Sequence, residues 1–99
     1  MSDDYAQTTL RQHRRLAILR HLDLAPEYTS NRSMLRDVLN DLGVTSTTDQ
    51  VTTEIAWLQE QGLVTSLAEG YVVSATLRGV EVAGGVASHP GVKRPGPRR

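Results

Sequence analysis

The sequence predicts a mainly α fold with a small β-hairpin, an α+β architecture. Three observations point there. Apolar residues recur at helical spacing in three successive segments before Gly62. Two short runs rich in β-branched and aromatic residues follow, joined through Ala68-Glu69-Gly70. A last helical segment then closes on Gly84-Gly85.

The first helix is expected from about Asp4 to Leu24. Ser2, Asp3 and Asp4 suit its start, where acids meet the positive end of the helix dipole. Leu16, Ile18, Leu19 and Leu22 share one broad face, and Pro26 stops the ladder because it has no N–H to donate. A second helix runs from about Ser30 or Asn31 to Leu42, with the stripe Leu35, Val38, Leu39 and Leu42 and a stop at Gly43. In the third, Thr47 and Gln50 have the spacing of a capping box. Val51, Ile55 and Leu58 form its inward seam, and Gly62 ends it. Leu63–Leu67 and Tyr71–Ala75 read as strands too short to stand alone in water, so they must pack on the helices. Thr76 caps a fourth helix, "LRGVEVAGG". Helix, helix, helix, ribbon, helix, with a tight turn between the second and third, is the order of a winged helix-turn-helix.

Residues 1–87 are therefore expected to form one winged-helix domain. Residues 88–99, "SHPGVKRPGPRR", hold three prolines, two glycines and four bases, the composition of a disordered basic tail. The whole chain of 99 residues is 38% hydrophobic, with no Phe and one Trp, so the core must be aliphatic and modest. No apolar run approaches the roughly 20 residues of a membrane span, and the first twelve residues lack the pattern of a signal peptide. With no cysteine there is no thiolate metal site and no disulfide frame. A cytoplasmic protein without cofactor or metal is expected.

Four stretches, "HRRLAILRHL", "SMLRDVLNDLGV", "DQVTTEIAWLQEQGLV" and "TLRGVEVAGG", resemble a family of small Mu-like prophage proteins with a winged-helix fold. Its members are often labelled regulators of the arsenic-repressor type. The resemblance covers nearly the whole chain, and "AWLQEQGLV" with "PGVKRP" is its more specific part. It implies a phage or prophage origin and genes near those for packaging and heads. Metal sensing is not carried over, because arsenic repressors hold their ion through cysteines and this chain has none.

The charge map frames the functional question. Residues 1–43 carry six acids and six bases, residues 44–76 four acids and no base, and residues 77–99 one acid and five bases. The third helix and the ribbon would thus meet DNA with Asp49, Glu54, Glu60 and Glu69 and with no cation of their own. Duplex DNA is held mostly through phosphate contacts from Lys and Arg. Thr48, Gln50, Thr52 and Thr53 are chemically able to read base edges, since Gln pairs with adenine and Thr touches the thymine methyl. The bland reading is that they are capping or solvated residues. Phosphate contacts would have to come from Arg11, Arg14 and Arg15 on helix one, Arg32 with Arg36 at i, i+4 on helix two, and Lys93, Arg94, Arg98 and Arg99 in the tail. Four tail contacts would give a salt slope of about −3.6 on a duplex. Ion pairing and solvation are the competing accounts of these bases.

Trp57 lies off the main seam, either packed in the fold or anchoring a partner, and Tyr5 and Leu10 could extend helix one into a contact with a second copy. His13, His21 and His89 do not have the spacing of a metal pair, and no catalytic constellation or phosphate loop is present, so no enzyme is expected. Two functions stay open. One is a phage DNA-binding protein acting in transcription or DNA packaging. The other is a winged-helix module that docks a phage packaging or head protein through its acidic helix-three and ribbon face.

Overall fold

A computed structural model describes residues 2–96. The chain forms helix α1 (Ser2–Leu24), a single 3-10 turn (Pro26–Tyr28), strand β1 (Thr29–Asn31) and helices α2 (Arg32–Asp41) and α3 (Thr48–Glu60). Strands β2 (Val64–Leu67) and β3 (Val72–Ala75) and helix α4 (Leu77–Gly84) complete it. The result is an α+β fold of four helices and one small antiparallel sheet in the order β1-β3-β2.

Local chemistry sets each helix start. The Asn31 side chain accepts from the Met34 amide at 2.9 Å. Thr47 and Gln50 form the full capping box, each side chain accepting from the other's backbone N–H. Thr76 Oγ1 accepts from the Gly79 amide at 3.1 Å and donates to the Gly62 carbonyl, so one hydroxyl starts α4 and ties it to the end of α3. The turn between α2 and α3 is closed by Asn40, whose Oδ1 accepts from the Ser46 amide at 2.8 Å.

The core gathers side chains from nearly every element. Ile18, Leu19 and Leu22 of α1 meet Leu35 and Leu39 of α2, and Val51, Ile55 and Leu58 of α3. Leu63, Val64, Val73 and Val82 close it from the sheet and α4. Each such side chain is worth about 1.5–3 kcal/mol of burial, which orders the helices around an aliphatic centre without phenylalanine. Gly79 lets α4 lie directly on the entry to β2, because a β-carbon there would collide with the Leu63 carbonyl oxygen.

Three features differ from the sequence-based expectations. The sheet has a third strand: β1 pairs with β3 from Thr29↔Ser74 to Asn31↔Val72. Its three residues, Thr-Ser-Asn, are polar and too few to show alternation. Leu42 is 63% exposed instead of completing the apolar stripe of α2, since that helix ends one residue earlier. The third concerns the tail. Val92 is buried, the Lys93 amide donates to the Gln12 carbonyl at 3.2 Å, and Gln12 Nε2 donates to the Pro90 carbonyl at 3.2 Å. Residues 89–93 are a clasp laid over α1 and α3. Composition alone suggested disorder, but the buried Val92, the packing of Gly91 on Trp57 and the hydrogen bonds to Gln12, Arg15 and Gln61 seat the segment.

Candidate nucleic-acid interface

The exposed part of α3 begins at its capping box. Thr47 and Gln50 are occupied in capping, although the Gln50 amide nitrogen remains available to a ligand. Thr48, Asp49, Thr52, Thr53 and Ala56 are exposed. Thr48 Oγ1 accepts from Arg36 Nη1 at 3.2 Å, while Thr52 Oγ1 donates back to the Thr48 carbonyl at 2.9 Å. Thr53 lines a shallow cleft with Arg11, Asp49 and Gln50. The side carrying Thr52 and Ala56 instead faces the ribbon across a groove that reaches Ser66 and Glu69.

Helix α1 reaches α3 through an ion cluster. Glu54, expected on the surface among the acids that would repel DNA, is 1% exposed. Its Oε2 accepts from Arg11 Nε at 2.8 Å and its Oε1 from Arg15 Nε at 2.7 Å, with Arg14 Nη1 at 3.8 Å. Arg14 is itself buried, donating from Nε to Ser46 Oγ at 2.8 Å and from Nη2 to the Thr45 carbonyl at 3.3 Å. Burial pushes the Arg14 guanidinium below its usual pKa, and Arg11 and Arg15 add to this while Glu54 opposes it. No buried side-chain donor or acceptor among the described residues lacks a partner.

This geometry divides the expected phosphate contacts. Arg14 and Arg15 are inside the fold and are removed from that role, because a guanidinium at 3% or 8% exposure cannot reach a phosphate. Arg11 is different: 43% of its side chain is exposed beside Thr53 and Gln50. Arg32 sits at the start of α2, its guanidinium 5.5 Å from the Tyr71 ring in the turn of the ribbon. Arg36, which shares the i, i+4 spacing with Arg32, lies at the other edge of α3, bonded to Thr48. Among the described residues the ion pairs all converge on Glu54, so neither Arg32 nor Arg36 is engaged by an acid. Lys93 and Arg94 are exposed at the end of the clasp, and Arg98 and Arg99 lie outside the described residues.

Trp57 packs within the fold. The Arg15 guanidinium carbon stands 3.8 Å from its ring centroid, and His89 meets the ring edge-on at 5.1 Å between centroids. Gly91 closes over the same ring, where a β-carbon would fall 2.6 Å from it. Tyr5 is 76% and Leu10 37% exposed on the first half of α1. Among the described residues no group of three His, Cys, Asp or Glu could hold a metal ion, and no helix is long and apolar enough to cross a membrane.

The sequence is 46% identical over 91 residues to "uncharacterized protein gp26" of Escherichia phage Mu, an alignment spanning 90% of this chain and 94% of that one. An uncharacterized protein of Haemophilus influenzae is 41% identical over 66 residues, 65% of this chain and 64% of its own length. No protein-family model matches the sequence. No solved structure matches the fold.

Proposed function

Because the chain belongs to the family of phage Mu gp26, we propose that this phage protein is a winged-helix DNA-binding protein, acting in the host cytoplasm in transcription or in DNA packaging. The element order supports the winged-helix reading. Helices α2 and α3 follow one another across a short turn, and the β2–β3 ribbon stands next to α3. The observation that carries the DNA reading is the position of Arg11 and Arg36. They flank the exposed N-terminal turns of α3 from opposite edges, beside Thr53 and Thr48 respectively.

In this reading α3 enters the major groove. Thr48, Thr52, Thr53 and the free end of Gln50 meet base edges, and Arg11, Arg32 and Arg36 take phosphates. Three guanidiniums share the single carboxylate of Glu54, so the α1–α3 junction keeps an excess of positive charge. That excess offsets Asp49, which at moderate salt costs a few tenths to about 1 kcal/mol against a phosphate.

A duplex titration of the full chain at two salt concentrations tests the reading. Arg32→Ala and Arg36→Ala should each weaken binding on every sequence and reduce the magnitude of the salt slope by about 1. Thr53→Ala should instead relax preference between sequences. Absence of duplex binding at low salt, or binding indifferent to both arginine variants, would refute it.

A second reading has its own observation. The groove between α3 and the ribbon is bounded by Thr52, Gln59, Ser66 and Glu69 and contains no cation. It suits a basic segment of a packaging or head protein. A Lys/Arg-rich peptide that binds the chain and is lost on Glu69→Gln would favour it over DNA.

A further inference from the structure

Helix α1 has a second apolar face that its own fold leaves uncovered. Ala6, Leu10, His13, Ala17 and Leu24 recur at helical spacing on the side away from Arg11, Arg15 and Leu22. Ala6, Leu10, His13 and Leu24 are exposed, Leu24 at 86%, and every residue from Asp4 to Thr8 is exposed as well. The C-terminal half of this face runs into a groove of about 500 Å³, completed by Val38, Leu42 and Val44. The first two turns of α1 thus project without tertiary support, although so short a helical segment is marginal in water by itself. Apolar residues lie open at one end of the helix and a receptive apolar groove lies open at the other.

The geometry points to a homodimer in which two copies pair α1 against α1 in antiparallel fashion. The stripe is self-complementary about its middle. With the two-fold axis near residue 15, Ala6 of each copy meets Leu24 of the other, His13 meets Ala17, and Leu10 falls against the stems of Arg20 and His21. Small residues opposite large ones let the helices approach closely, and a surface that matches itself under a two-fold rotation is what an isologous interface requires. The antiparallel sense also opposes the two helix dipoles. A parallel pair would instead put like ends together. The seam lies away from α3 and does not rest on the DNA reading.

The chain has no cysteine, so an engineered pair reports cleanly. In the Ala6→Cys/Leu24→Cys variant the two thiols lie about 27 Å apart along their own helix, beyond the reach of an internal disulfide. Oxidation at micromolar concentration should convert it to a covalent dimer, while Ala6→Cys alone should not cross-link. In sedimentation the unmodified chain should run at twice its 10.9 kDa monomer mass. Leu10→Glu and Leu24→Glu, both at exposed positions, should return it to monomer with unchanged helical circular dichroism. A chain that stays monomeric at several hundred micromolar would overturn the proposal and leave the groove to a different protein. A cross-link through Ala6→Cys alone, the signature of a parallel pair, would overturn it equally.

Discussion

A carboxylate withdrawn from water costs several kcal/mol unless charged donors replace the solvent, and Glu54 meets three guanidiniums there. Glu54→Ala would leave Arg14 and Arg15 buried beside one another with no counter-charge, so it should destabilise the fold by about 3–5 kcal/mol in urea denaturation. Arg11→Ala, at the half-exposed edge of the same cluster, should cost about 1 kcal/mol or less. At this scale the sequence was only partly legible. The i, i+4 spacing of Arg11 and Arg15 marked a patch, and Glu54, three residues after Val51 and four before Leu58, stands on the flank of the buried seam; what periodicity could not show is that α1 crosses there and supplies its partners. The capping box at Thr47 and Gln50 is a local bond pattern, and it was readable for that reason.

Among the elements, the clasp of residues 89–93 has the most specific fit. Arg15 spans it, pairing with Glu54, covering the Trp57 ring, and donating from Nη1 to the Gly91 carbonyl at 2.9 Å. Gly91 has no room for a side chain against that ring. Gly91→Leu should therefore lift the clasp while the four helices stay formed. Trp57 is the sole tryptophan, so its fluorescence should shift to longer wavelength as water reaches the ring, with little change in far-ultraviolet circular dichroism. Helices and ribbon were foreseeable from periodicity and glycine stops. The clasp and β1 were not, since each is a short segment whose conformation is imposed by a distant surface.

For the molecule as a whole, zero net charge conceals an internal cancellation. The four acids of residues 44–76 are offset by the excess of bases in residues 77–99, while of the six arginines on α1 and α2 two are spent inside the fold and four stay at or near its surface. The clasp adds a different kind of consequence. Its bonds join residues 76 and 78 positions apart, so closing it means ordering nearly the full length of the chain. Contacts of that separation form late in folding. Val92→Ala should leave the refolding rate nearly unchanged and speed unfolding by roughly tenfold, displacing one arm of a chevron plot. The segment would then act as a catch on lifetime: the last part to engage, and the one whose release sets how long the native state survives.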